Sequence, residues 1–179
     1  MKPVTVRTRV FAALGSAIFF CVAPGTVAGY VPWRIGGWRV RAPIFRASFV
    51  GFAALRVLGV ALMAVGTVIL IEAFVRFALQ GIGTPAPIFP TKRLVVMGSY
   101  RFVRNPMYVA VVLLILGQGL FFGDIRVLAY GLCAWLVTHL FVLIYEEPTL
   151  RRSFPVDYAV FSVHVPRWIP RLAPWHGGA

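Results

Sequence analysis

Acidic side chains are scarce in this chain. Five Asp and Glu stand against eighteen Lys and Arg, a formal net charge of +13 in 179 residues. Charged residues of both signs reach only 13%, about half of the ~25% usual in a water-facing domain. Cysteine is also rare. Cys21 and Cys133 each sit alone in an apolar stretch, without metal-ligand spacing. A disulfide scaffold and a bound metal are therefore not expected, and both thiols read as small packing residues. There is no internal repeat and no low-complexity tract.

Apolar residues fill the space that charge leaves. They make up 60% of the chain, and its mean hydropathy is +0.84, against an apolar content of ~45–50% in soluble domains. A chain of one-domain length cannot hide that much apolar surface in a single core, so lipid is its natural solvent. The basic residues fall between apolar segments and form no tract. They read as flanking charge that orients spans and meets anionic headgroups. No basic element is presented to read bases, so no nucleic-acid partner is expected.

Four apolar spans are expected, in an all-α bundle forming a single membrane domain over 1–179. The uncharged run after Lys2, Arg7 and Arg9 is too long for a signal core of ~7–15 residues. It reads as a retained span over Val10–Val31, kinked or broken at Pro24-Gly25. A basic connector with Trp33, Arg34, Trp38, Arg39, Arg41 and Arg46 suits the headgroup layer. The second span covers Ala47–Leu79, where Glu72 either pairs with Arg76 four residues on or faces a polar cavity. GIGTPAPIFP (81–90) is a loop. Asn105-Pro106 reads as a helix cap followed by a first-turn proline, opening a third span that runs to Gly123. After the tight turn Gly123-Asp124, a fourth span covers Ile125–Tyr145, and Pro148 ends or bends it. Both spans have the length to cross ~30 Å of hydrocarbon. Thr149–Val165 reads as an interfacial helix interrupted at Pro155, and the tail with Arg167, Trp168, Arg171 and Trp175 as an anchor. Twelve basic residues fall on the side of the termini and five on the other, which puts both termini in the cytoplasm.

The short turn at Gly123-Asp124 makes the last two spans an antiparallel pair. Arg101, Arg104, Asn105 and Tyr108 should therefore lie near His139, Tyr145, Glu146 and Glu147. A helix start offers free N–H groups and the positive end of the helix dipole, and arginines add to its attraction for a carboxylate or phosphate. Glutamates opposite can accept from an amine or a ribose. Such a pocket suits a zwitterion, and the amino-acid part of S-adenosylmethionine is one. Each group also has a plainer reading. Arg101 and Arg104 can mark a membrane edge, Glu146 and Glu147 can pair with them or with Arg151 and Arg152, Tyr108 can belong to an aromatic belt, and His139 can be a packed, hydrogen-bonded side chain.

LVVMGSYRFVRNPMYVA followed by LIYEEPTLRRSFPVDYAVFSVHVPRWIP resembles the isoprenylcysteine carboxyl methyltransferase family, in its wider bacterial branch, which is related to the phospholipid methyltransferases. The likeness covers about Glu72 to Arg171. The family pattern has a Tyr, then Arg-His-Pro-x-Tyr, a Glu-Glu pair, Phe-Gly-x-x-Tyr and Val-Pro. Here these elements are Tyr100, Arg104-Asn105-Pro106-Met107-Tyr108, Glu146-Glu147, Phe154 with Tyr158, and Val165-Pro166. Asn105 stands for the His and Pro155 for the Gly. The resemblance implies a membrane methyltransferase using S-adenosylmethionine on a lipid-like or small hydrophobic acceptor. Its methyltransferase core would be 81–179, with 1–80 supplying N-terminal helices and connector. By motif position, the cofactor contacts would be Lys92, Arg93, Leu94, Val95, Tyr100, Asn105, Pro106, Met107, Tyr108 and Glu146, and the catalytic residues Arg104, Asn105 and Glu147. If the nucleophile is an amine or hydroxyl, Glu147 or His139 would take its proton. The prenylcysteine enzymes carry a carboxylate-binding Arg four residues before the first Glu. Val142 stands there, which argues against a prenylcysteine carboxylate as substrate. The expected partners are the bilayer and the acceptor, with the bacterial inner membrane as the expected location; no obligate protein partner is evident. The alternatives are an NADPH-dependent membrane reductase and a non-enzymatic membrane protein binding lipid or a partner.

Overall fold

The computed structural model describes residues 22–41, 49–80, 94 and 96–177. Among these, all regular structure is helical. The expected loop at 81–90, and most of the expected first span, lie outside the described residues.

The longest helix is α2, Phe49–Gln80, which follows the short α1, Val31–Gly36. Its Gly51–Arg76 portion is rich in Val, which in water favours strands. Away from water every backbone group must find its partner within its own segment, and a helix achieves this. Much of α2 is apolar and uncovered, as at Val57 and Val68, 70% and 67% exposed. α3, Pro106–Phe122, runs antiparallel to it. Gly59, Gly66 and Ala73 recur every seven residues on one face of α2. A Cβ on Gly59 would lie 2.6 Å from the Gly117 carbonyl oxygen, and one on Gly66 2.9 Å from that of Ala110. Small residues let the two backbones approach, as helices in lipid commonly do.

Gly123 closes α3 in a left-handed conformation, φ 66°. Asp124 then caps α4, Ile125–Phe141, accepting from the Arg126 backbone N–H at 3.0 Å. Its carboxylate is buried and also pairs with the Arg41 and Arg126 guanidiniums, each at 2.8 Å. The Arg126 hydrogen bond above all holds the Asp124 carboxyl below its ordinary value.

Two sequence expectations change here. The N-terminal segment is not broken at Pro24-Gly25. Pro24 keeps helical angles, and the chain widens into a π turn over Gly25–Tyr30 before α1, Val31–Gly36. A π turn displaces carbonyls, and those of Val27 and Ala28 accept from Tyr130 Oη (2.9 Å) and Gln118 Nε2 (2.6 Å). Trp33 and Arg34 are consequently helical, and the connector starts only at Gly37, with φ 63°. Secondly, Pro148 does not end the fourth helix. A second π turn, Val142–Glu146, precedes α5, Glu147–Ser153. The wide turn relieves the crowding that a proline imposes on the carbonyl four residues back. The break falls instead at Phe154, and Pro155 opens α6, Pro155–His164.

Among the described residues two helical stretches are long and apolar enough to cross a membrane, Gly51–Arg76 and Ile125–Ser153. α3 has 17 residues, roughly 26 Å at 1.5 Å per residue, at the short end of the ~17–25 residues of a crossing helix.

Candidate functional site

The start of α3 and the end of the fourth helix meet, as the short turn requires. Tyr108 Oη donates to Glu146 Oε2 at 2.9 Å, and Arg104 Nη1 lies 3.1 Å from Glu147 Oε1. Between them is a cavity of about 240 Å³. Its polar wall is Tyr100, Arg104, Asn105, Tyr108, Glu146 and Glu147, with Leu94, Pro106 and Met107 alongside. All of these were expected at the site. Lys92, Arg93 and Val95 lie outside the described residues.

Successive helical residues point about 100° apart, so the two glutamates have different surroundings. Glu146, at the end of the π turn, faces Tyr108 and the cavity. Glu147 is buried, and Arg167 grips both its oxygens, at 2.6 and 3.1 Å, while Arg104 approaches one. That hydrogen bonding raises the Arg167 guanidinium above its ordinary value. Arg104 also donates through Nη1 to Tyr158 Oη at 3.2 Å. Its side chain is nine-tenths buried, and its Nε has no hydrogen-bond partner among the described residues. Burial raises the Tyr100 phenol far above its usual value, helped by the charges of Glu146 and then Glu72, and burial likewise raises Tyr158. Both hydroxyls therefore stay protonated at neutral pH.

Several groups occupy unexpected positions. Asn105 precedes α3 but makes no side-chain cap. Its Nδ2 donates instead to the Arg167 carbonyl at 3.1 Å, because the C-terminal tail crosses the start of α3. The tail is bonded there by Arg104 N to Pro166 O, Arg171 N to Phe102 O and Trp175 N to Arg101 O, each 2.9 Å. It is thus part of the site's frame. Arg101 turns away, to Trp175 O and His176. His139 stacks on Trp135 and accepts from Trp168 Nε1 at 2.9 Å, outside the cavity lining. Glu72 does pair with Arg76, and it also accepts from the Ser99 backbone N–H at 3.1 Å.

Tyr158, a motif residue, and Phe161 of α6 close another side of the cavity. The cavity also has walls that the motifs did not reveal. Ala23, Pro24 and Val27 come from the N-terminal helix, Phe74 from α2 and Val111 from α3. The N-terminal residues carried no signal, since generic apolar side chains look alike in sequence.

A helical bundle with two long stretches that expose apolar side chains outward, and with Asn105 and Glu147 buried beside a partly polar cavity, has the make-up of a membrane protein with an internal site. A family model of phospholipid methyltransferases matches residues 54–157, and the chain belongs to that family. No curated protein matches it.

Proposed function

We propose that this protein is an S-adenosylmethionine-dependent methyltransferase acting on a lipid-like or small hydrophobic acceptor, with the cavity between α3 and α5 as its cofactor site. The observation that carries this reading is the meeting of Arg104, Asn105 and Glu146 around one cavity, a cation and an amide opposite a carboxylate that Tyr108 orients. Such a lining offers partners to both ends of a zwitterion.

S-adenosylmethionine supplies an electrophilic methyl group on a sulfonium. Arg104 would hold its carboxylate, and Glu146, oriented by Tyr108, would accept from its ammonium or ribose. Asn105, Pro106, Met107, Leu94 and Tyr100 would complete the contacts, joined by Lys92, Arg93 and Val95. Phe74, Val111 and Val27 would keep water from the reacting centre, which an aligned displacement needs more than it needs an acid or base. Arg104 and Asn105 are the proposed catalytic residues that touch ligand. Glu147, the third, would work as an anion between Arg104 and Arg167, fixing where Arg104 points. With Glu147 engaged in this way and His139 bonded to Trp168, the site best suits an acceptor that needs no proton removed.

The cavity volume, about 240 Å³, is near the ~300 Å³ lower bound of ligand sites. Residues 81–179 would form the methyltransferase core, with the first half lending one apolar wall. With four spans, the excess of basic residues at the termini and middle loop supports placing both termini and the site on the cytoplasmic face of a bacterial inner membrane. Nothing among the described residues favours the reductase or the non-enzymatic alternative. The test is transfer of a labelled methyl group from S-adenosylmethionine to extracted host lipids by the purified protein. Label in the lipid fraction, lost in Glu146→Gln, is the expected outcome. Equal labelling by both proteins would reject the assignment.

A further inference from the structure

α6 is apolar on two opposite faces. At 100° per residue, Tyr158 and Phe161 fall on one side of the helix and Val156, Val160 and Val163 on the other. The first side is protein core: Tyr158 and Phe161 are 2% and 3% exposed, packed with Val165 and lining the cavity. The second is largely uncovered among the described residues: Val156 and Val163 are 75% and 81% exposed and Val160 45%, with Val156 and Val160 beside a groove shared with Met97, Trp175 and His176. A helix apolar on both faces is stable where both are removed from water. In the tail, Ile169 and Leu172 are also fully outward. Arg171 Nη1 donates to the His164 carbonyl at 2.8 Å, which ties that part of the tail to the end of α6.

Two observations identify what covers this face. The first is position. α6 begins two residues after the candidate span Ile125–Ser153 ends, so it lies at the boundary of the hydrocarbon. The second is charge. Arg151 and Arg152 are exposed just before α6 and Arg171 borders its end, while Asp157 is the one acidic residue on the helix. An apolar stripe flanked by cations fits a surface that is apolar below and anionic above.

We propose that the Val156–Val160–Val163 face of α6 is seated in the bilayer interface and prefers anionic lipid, so that one short helix has lipid on its outer side and the cavity on its inner side. This inference rests on the membrane character of the family and is independent of which methyl donor the cavity takes. Seating the helix would make lipid part of the support for the Tyr158–Phe161 wall.

Nitroxide labels on Val156→Cys, Val160→Cys, Val163→Cys and Asp157→Cys, with Cys21 and Cys133 replaced by Ser, read this directly in nanodiscs. The three valine positions should collide more with dissolved oxygen than with a water-soluble nickel chelate, and position 157 should show the reverse. Adding phosphatidylglycerol to phosphatidylcholine should deepen the three labels, and Arg151→Gln with Arg152→Gln should abolish that shift. Strong nickel collisions at all three valine positions would mean a water-exposed face. Protection from both reagents would mean a protein cover, such as a second copy. Either result overturns the seating, and equal depth in both lipid mixtures overturns the anionic preference.

Discussion

Glu146 and Glu147 are neighbours in sequence with divided roles in space. Glu146 faces Tyr108 and the cavity, whereas Glu147 is held by Arg167 and Arg104. Arg104→Met should therefore weaken S-adenosylhomocysteine binding roughly 10- to 100-fold, the value of one or two charge-assisted hydrogen bonds. Its thermal midpoint should fall only modestly, because Arg167 still neutralises Glu147. Arg167→Ala should cost about 2 kcal/mol of stability and also displace Asn105, whose Nδ2 uses the Arg167 carbonyl through the tail. Arg167→Lys should recover part of the stability, seen in denaturation midpoints. At the other end of the bundle, the folded-state value of Asp124 lies below the ordinary carboxylate value of ~3.9 because Arg126 and Arg41 hold its anion. The folded protein then binds fewer protons than the unfolded chain between those two values. The stabilisation is complete above the unfolded value and is lost as pH falls through the folded one. Thermal midpoints should drop in that acid window, and Asp124→Asn should flatten the drop.

At the scale of elements, helix identity was legible because long apolar runs leave the backbone few options. The Asn105-Pro106 start and the Gly123-Asp124 turn were read at the right residues from their local chemistry. What the sequence concealed was the effect of packing on those signals. Asn105 looked like a cap, but the tail offered its amide a better partner. Pro148 read as an end or a bend, and a π turn carries the helix through it. The close approach of α2 and α3 was encoded in the seven-residue spacing of Gly59, Gly66 and Ala73, a pattern that acquires meaning only once its partner face is known. Gly59→Leu should push against the Gly117 carbonyl and lower stability by about 1–3 kcal/mol, measured in detergent against Gly25→Ala, whose Cβ would meet nothing within 4 Å among the described residues.

For the whole molecule, the juxtaposition of two helix ends was legible because one tight turn dictates it. The rest of the cavity was not, since its walls come from segments as far apart as Val27 and Tyr158, and no local pattern encodes a contact of that range. The tail, read as an interfacial anchor, also crosses the start of α3 and frames the site. The central claim is that these ends enclose a sulfonium nucleotide. Titration calorimetry of the detergent-solubilised protein with S-adenosylhomocysteine tests it most directly. The account predicts one site per chain with a roughly micromolar Kd, about −8 kcal/mol, strongly weakened in Arg104→Met and Glu146→Gln. Absence of binding by the folded wild-type protein, or wild-type affinity in both variants, would contradict it.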